Sequence, residues 1–446
     1  MDFLSELQKR FDGAADFTVR TVQAAGIDCT LCFLDGLTSG SEIAEFVIRP
    51  LGRLEGTLTP AELLERTVRD GTDAASVSRC ADVEDAEAKL LNGFCVLIVP
   101  GAGAAAFEVK SGEKRGPSEP EVESTTRGPK DAFTETARTN TALVRRHLRT
   151  ARLRLWETAV GRVSHTNVSL LWLEGAAEPE TVERMKTRLN ALDAGDLLTP
   201  ATVERLVPGK RITAFPMIQF TERTDKFAAG LLAGRVGLFV DGLPVGYLAP
   251  VNLGWLLQAA EDKDTDRLSA RFLKVLRLAA LICALLLPAL YVAMAAFHQE
   301  MLPTELLEAI IESKKNVPFP TVLEVLGLLA AFELLQEAGL SAPKAVSQPV
   351  SIIGGLVVGS AAVEASLISP AALIVTAAAG ICGFALPGKS FVDVVRLCRF
   401  ALTLCAALAG LCGLTLGLIA LLIHLSTLDS FGEAYLAPFS ELKRKS

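Results

Sequence analysis

The chain lacks the short motifs that mark common enzymes. It has no H-E-x-x-H, no G-x-S-x-G and no His, Cys, Asp and Glu cluster at metal-ligand spacing. No catalytic site, metal or cofactor is therefore expected. It also lacks an excess of basic charge. With 44 Lys and Arg against 51 Asp and Glu, the net charge is −7, which argues against nucleic acid as a partner. Met1–Arg10 is amphipathic and charged, without the apolar core of a signal peptide, so the first 275 residues are expected to stay cytoplasmic. Nine cysteines are present, but they do not form the framework of an exported protein. Cys283, Cys382, Cys405 and Cys412 lie in apolar runs, and Cys398 lies at the edge of one. Cys398, Cys405 and Cys412 are spaced to share one helix face, as small residues at a helix contact. Cys29-Thr-Leu-Cys32 has the spacing of a redox pair, but in the strand-like run Ile27–Leu34 its two sulfurs point to opposite faces.

Long apolar runs are missing from residues 1–275 and crowd into residues 278–428. They lift the whole chain to 50% hydrophobic and a mean hydropathy of +0.38. The expected fold is an α/β cytoplasmic region of two similar modules followed by an all-α, multi-span membrane domain. The first α/β module takes residues 1–109 and a Pro/Gly/Ser/Glu-rich linker 110–127. The second module takes 128–262, the helical membrane domain 263–428 and a cytoplasmic or interfacial tail 429–446. The two modules repeat landmarks. Leu34-Asp-Gly36 answers Leu173-Glu-Gly175, and Leu90-Leu-Asn-Gly93 answers Leu231-Leu-Ala-Gly234, each of the latter pair followed by a strand and a hairpin.

In detail, residues 3–24 read as a helix, Ile27–Leu34 as a strand, and Ser41 as the cap of a helix to Leu51. Thr59-Pro60 opens another helix. Phe133–Trp156 reads as one long basic helix with a solvated face. Leu278–Phe297 is long enough to span a bilayer, and the arginines and lysine before it place its start in the cytoplasm. Thr321–Leu340 is apolar but carries Glu324, Glu333 and Glu337, with Glu333 free to pair with Lys344 or an interface cation. Phe400–Leu428 is the last span, and four or five spans or re-entrant segments are expected in all. His298, between a span and an acidic loop, reads as a structural hydrogen-bonding group with pH sensitivity as the alternative.

Ala345–Pro387 holds a single charged residue, Glu364. A lone carboxylate there is costly unless it faces water, a partner or a cation. Gly355-x-x-x-Gly359, with Gly354, is a helix-packing signal. Ser351, Gly355, Val358 and Ala362 fall on one helical face. Gly383-Phe-Ala-Leu-Pro-Gly-Lys389-Ser390 fits the phosphate-loop pattern, but an apolar helix rather than a strand precedes it, so no nucleotide is expected.

Together these residues resemble the A subunit of spore germination receptors, the GerA family, and its stage V sporulation AF branch. The resemblance is carried by Asp16-Phe-Thr-Val-Arg20, Phe33-Leu-Asp-Gly-Leu37, Arg49-Pro-Leu51, Arg127-Gly-Pro129 and Phe133-Thr-Glu135 with Arg138-Thr-Asn140. It continues through Thr221–Lys226, Gly234–Pro244, Leu287–Ala293, Phe297–Pro303, Val317–Pro320, Phe332-Glu333 and Gln348–Gly359. The chain departs from the family's pattern in three respects: Thr224 stands where proline is usual, basic residues are missing near Gln336 and Ser341, and the C-terminal tail looks short.

The resemblance implies a multi-pass protein of the spore inner membrane, with its N-terminal region in the spore core. It implies a homo-oligomer, taken as a pentamer, that works with a transporter-like B subunit and a lipoprotein C subunit. Such an assembly would sit in membrane lipid and gate monovalent cations. In that setting Glu364 has two readings: a ring of carboxylates that attracts cations, or a structural group that bonds a neighbouring helix or reaches the membrane interface. The face of Ser351, Gly355, Val358 and Ala362 is the candidate gate, and Gly354 and Gly359 are the candidate packing residues. The alternatives are a non-conducting scaffold, or a stage V AF-like channel that amplifies the signal.

Overall fold

The computed structural model describes residues 3–54, 56, 58–110, 120, 123, 129–192, 199–204, 213–259, 262, 266–341 and 359–437. Helix α1 (Phe3–Arg10) is followed by β1 (Phe17–Ala24), which pairs antiparallel with β2 (Ile27–Leu34) over its whole length. The expected helix over 3–24 therefore stops early. Gly13, at φ +71°, turns the chain, and the β-branched alternation of Thr18, Val19, Thr21 and Val22 favours a strand.

After β2 come a short helical run over Gly40–Glu42, Ile43–Ile48 and Arg49–Gly52, then α2 (Pro60–Arg69), β3 (Val77–Cys80), α3 (Val83–Leu91), β4 (Phe94–Val99) and β5 (Gly103–Glu108). Ser39, rather than Ser41, caps the helical run. Thr59 and Glu62 form a reciprocal capping box at the start of α2. The sheet order is β1-β2-β4-β5-β3, with every pair antiparallel.

Both faces of this first sheet are covered. One face packs Cys32, Leu34, Val96 and Ile98 against Leu7 of α1, Phe11 just after it and Leu90 of α3. The other packs Cys29, Leu31, Leu97 and Phe107 against Ile43, Leu51 and Leu63. Burial on both sides explains why Val96–Val99 is an unbroken apolar run rather than an alternating one. It also puts the sulfurs of Cys29 and Cys32 in separate cores. Burial pushes the Cys29 thiol up to about 11 and the Cys32 thiol up to about 12. Neither cysteine should be alkylated in the folded protein at pH 8, and both should react after denaturation. Peptide mapping by mass spectrometry after alkylation would show it, and labelling of either one in the folded state would contradict this packing.

The second sheet repeats the same order, β6-β7-β9-β10-β8, from β6 (Leu153–Val160), β7 (Thr166–Leu173), β8 (Gln219–Thr221), β9 (Val236–Val240) and β10 (Gly246–Ala249). Its helices are α4 (Ala137–His147) before β6, α5 (Pro179–Ala191) after β7 and α6 (Thr224–Leu232) before β9. One long helix over Phe133–Trp156 is thus replaced by a shorter helix and a strand. Its basic face is only partly solvated: Arg146, Arg149 and Arg152 are exposed, whereas Arg145 is buried. Arg145 is 2% exposed and clasps Asp16, which is 1% exposed, through Nε to Oδ2 and Nη2 to Oδ1 at 2.6 Å. Arg154 donates to the carbonyls of Arg10 and Asp12, and Arg138 approaches Asp35 at 3.3 Å. Arg138, Arg145 and Arg154 therefore fasten the second sheet to the first. On one face of the second sheet, Phe227 stacks on Phe239 and lies over Gly237, where a Cβ would fall 2.2 Å from its ring.

The other face of the second sheet continues without a break into the helical half. Val168, Leu170, Leu238 and Tyr247 share one cluster with Leu281, Ala284, Phe391, Val395, Leu425, Leu428 and Tyr435. The helical half comprises α7 (Arg267–Ala296), α8 (Thr304–Lys314), α9 (Thr321–Ser341), a short helix over 359–364, α10 (Pro370–Phe384) and α11 (Lys389–Ser426). Among the described residues, α7 and α11 are the two helices long and apolar enough to cross a membrane, and α10 is a shorter apolar one.

Helix α11 is not one rod. Its 38 residues would run about 57 Å if straight, nearly twice the roughly 30 Å core of a bilayer. Ala409 and Gly410 leave helical geometry, with Gly410 at φ +60°. Beyond them the chain folds back. A Cβ on Gly417 would meet Leu402 and Cys405 at 3.1–3.4 Å, and one on Gly413 would strike the Cys405 carbonyl oxygen at 2.0 Å. In a continuous helix, residues 402 and 417 would stand about 22 Å apart. The helix is a hairpin of two antiparallel arms whose tip touches Phe297 and His298, at the end of α7. The Cys398, Cys405 and Cys412 stripe is broken by this reversal: Cys412 lies on the second arm, away from the face expected for all three.

Two short strands, β11 (Asp429–Ser430) and β12 (Glu433–Ala434), close the described chain. They return to the second sheet, where Tyr435 is fully buried.

Candidate functional site

Three acidic sites of the helical half bear on the candidate conduit. Glu364 ends the helix over 359–364 and is exposed. Ser366, at φ +51°, turns the chain beyond it, and the amide of Leu367 donates to the carbonyl of Ala362 at 2.9 Å. Glu364 makes no ion pair or side-chain hydrogen bond among the described residues. Ala362 is half-buried. Gly359 is buried against Leu373 of α10, with room for a Cβ at ordinary contact distance. Ser351, Gly354, Gly355 and Val358 lie outside the described residues.

The second site holds the turn after Glu364 in place. Ser369 caps α10 by accepting from the amide of Ala372. It also donates twice to Glu324 of α9, from its amide at 3.0 Å and its hydroxyl at 2.7 Å. Glu324 is 2% exposed and is paired with Lys314 at 2.9 Å, and Lys314 also reaches Thr321. A buried carboxylate on an apolar helix is tolerated when it is paired and hydrogen-bonded, and Glu324 is both. The sequence displays Glu324 but gives no sign of Ser369 as its partner. The one available hint is that Ser369-Pro370 is a strong helix start.

At the third site, Glu333 of α9 binds the first arm of α11. It accepts from Arg396 Nε at 2.6 Å and from Arg399 Nη2 at 2.8 Å. Asp393 takes a further bond from Arg396 at 2.6 Å. These arginines take the place of the expected partner Lys344, which lies outside the described residues. Glu337 is exposed. His298 has Nδ1 3.6 Å from the Glu300 carboxylate, and its ring packs at the hairpin tip. Gly383–Ser390 joins α10 to α11, with Gly388 at φ +83°, so the residues before this phosphate-loop-like pattern are helical and not a strand. Among the described residues, no group of three or more His, Cys, Asp or Glu side chains is arranged to hold a metal ion.

This is a two-part protein: an α/β half of two like-ordered sheets, and a helical half with two helices fit by length and composition to cross a membrane. Residues 5–446 match the family described as Bacillus/Clostridium GerA spore germination protein. The chain belongs to the GerA family.

Among its relatives, spore germination protein KA of Bacillus subtilis is 33% identical over 98% of this chain and 81% of its own length. Spore germination protein GerLA of Bacillus cereus is 32% identical over 98% of this chain and 90% of its own. An uncharacterized membrane protein of Bacillus subtilis, YfkQ, is 33% identical over 99% of this chain and 86% of its own. In a crystal structure, the N-terminal domain of the A subunit of the Bacillus megaterium spore germinant receptor GerK3 is 26% identical. It covers 55% of this chain and 92% of that domain, with a TM-score of 0.42.

Proposed function

We propose that this chain is the membrane subunit of a nutrient germinant receptor and that copies of it assemble, as a pentamer, into a gated monovalent-cation channel that starts germination. The proposed setting is the spore inner membrane, with both sheets in the spore core and a transporter-like B subunit and a lipoprotein C subunit as partners. Membership of the GerA family supports the receptor role. The observation that carries the channel reading is Glu364, an exposed carboxylate without a partner among the described residues, set at a helix end in an otherwise uncharged stretch. In an assembly of copies, such carboxylates form a ring, the usual device of cation-selective pores. Both ends of the helical half are tied to the second sheet, so a membrane reading requires an even number of crossings. In this reading the α11 hairpin supplies two crossings and α7 one, with α9 and α10 as the other described apolar helices.

Reconstituting the full-length chain in potassium-loaded vesicles tests this. Glu364→Gln should reduce cation-over-anion selectivity several-fold while leaving the protein folded. Unchanged selectivity would remove Glu364 from the conduction path. An absence of flux through the unaltered chain, with and without the partner subunits, would favour the non-conducting scaffold. Flux that needs no partner and no nutrient would favour the stage V AF-like amplifier.

A further inference from the structure

The end of the second sheet is where both ends of the helical half are fastened. On the incoming side, Asn252 caps the short helix Leu253–Leu256, and Arg277 of α7 reaches back to Asp262 at 2.5 and 2.8 Å and to the carbonyl of Leu257. On the outgoing side, the segment 429–435 crosses the same sheet end. Ser430 Oγ accepts from the amide of Val251 at 3.0 Å and donates to the carbonyl of Met217 at 2.8 Å. The amide of Leu253 donates to the carbonyl of Tyr435 at 2.9 Å, and Asn252 donates to Glu433 Oε1. One serine hydroxyl thus bridges the bend before β8 and the residues after β10, and it is carried by the segment that follows the second arm of α11.

This joint contains an unfinished ion pair. Arg235, at the start of β9, is 3% exposed and stacks on Trp255 at 4.0 Å, yet its Nε and Nη1 have no hydrogen-bond partner. Glu433 Oε2 is also buried without a partner, and the carboxylate lies within electrostatic reach of that guanidinium. Burial pushes Arg235 down to about 10, and the Glu433 charge pulls the other way. Arg235 and Glu433 thus bring opposite charges with unmet hydrogen bonds to the joint, a cost that a small shift of either side could relieve.

We propose that residues 429–435, with Ser430, Glu433, Arg235 and Trp255, form a strap that transmits movement of the second sheet to the second arm of the α11 hairpin, and that the Arg235–Glu433 contact closes or opens as the strap shifts. The inference rests on the membrane-hairpin reading of α11, but not on conduction. It accounts for three features together: a tail segment that buries Ser430, Phe431 and Tyr435 against a sheet, a serine with two long-range backbone partners, and a buried arginine with unmet N–H groups.

Hydrogen exchange on the full chain in nanodiscs tests it. Ser430→Ala removes both backbone bonds. It should speed exchange about tenfold in Val251–Leu256 and in the arm 411–426 together, with α9 and the first sheet unchanged. Glu433→Gln keeps an acceptor for Asn252 and removes only the charge, so it should act on the same two segments more weakly. Should Ser430→Ala fail to accumulate, Glu433→Gln carries the comparison alone. Faster exchange confined to 429–435, with the arm unchanged in either variant, would overturn the strap. Its fate is separable from that of the channel. An arm that responds to these variants beside a Glu364→Gln protein of unchanged selectivity leaves the strap standing and the pore assignment fallen, and the reverse pattern does the opposite.

Discussion

Replacing Arg145 with leucine should destabilise the α/β half by about 3–5 kcal/mol, because it strands the Asp16 carboxylate in the interior. Asp16 is 1% exposed and has Arg145 as its charged partner, held through two side-chain bonds. The guanidinium also donates to the carbonyl of Leu153 at 3.3 Å, so the same substitution frees a backbone acceptor at the start of β6. The backbone of Asp16 is itself built in, its carbonyl accepting from the amide of Asp35 at 2.8 Å. The loss therefore falls on the seam between the two sheets. The double variant Asp16→Leu with Arg145→Leu should recover most of the stability, since no buried charge is left over. Urea unfolding of the full chain in detergent reads this out. Trp156, Trp172 and Trp255 are the chain's three tryptophans and all belong to the second sheet or pack against it, so their fluorescence follows that side of the seam. A cost for Arg145→Leu below about 1 kcal/mol, the level of an exposed pair, would mean that water reaches Asp16.

Arg145 also marks where sequence reasoning stops. Its spacing with Arg138, Arg146 and Arg149 is that of an ordinary charged helix face, and nothing local distinguishes it from them. What buries it is a partner 129 positions away. β6 was hidden by the same arginines, because Leu153 and Leu155 alternate with charged residues that point at another part of the chain rather than at water. β2, β4 and the hairpin strands were legible because burial on both faces writes itself as a continuous apolar run. The opposed orientation of Cys29 and Cys32 followed from strand period alone.

In the helical half, the apolar composition was plain, but the reversal at Ala409-Gly410 was not. Gly is common inside membrane helices, and only its left-handed φ, together with contacts from Gly417 back to Leu402, reveals a turn. The candidate site was legible to the same degree. Glu324, Glu333 and Glu364 could all be picked out as charges in an apolar setting. Which of them is paired depends on residues 45 to 66 positions distant, beyond the reach of any local pattern.

Glu333 then invites the sharpest test of the helical half, because one carboxylate serves two arginines. Glu333→Leu should be the most damaging of three related substitutions, at about 3–5 kcal/mol, since it leaves both Arg396 and Arg399 without it in an apolar setting. Arg399 fares worst. It is 5% exposed, its Nε already lacks a partner, and Glu333 is the acidic group it touches. Arg396 keeps Asp393. Arg396→Leu should therefore cost about 1 kcal/mol, because the Glu333–Arg399 pair remains and charge still balances there. Arg399→Leu should fall between the two, leaving Glu333 with Arg396. Glu333→Gln retains an acceptor but not the charge, and should sit closer to Glu333→Leu than to Arg396→Leu. Unfolding of the full chain in mixed detergent micelles gives the order. This is the main contact between α9 and the first arm of α11, so its loss should loosen the C-terminal part of α9, read as faster hydrogen exchange over Phe332–Ser341, while Val325–Leu329, packed on α7 and α10, keeps its protection. Equal costs for the three leucine variants would mean that the arginines find other partners and that Glu333 is not what holds α9 to the hairpin.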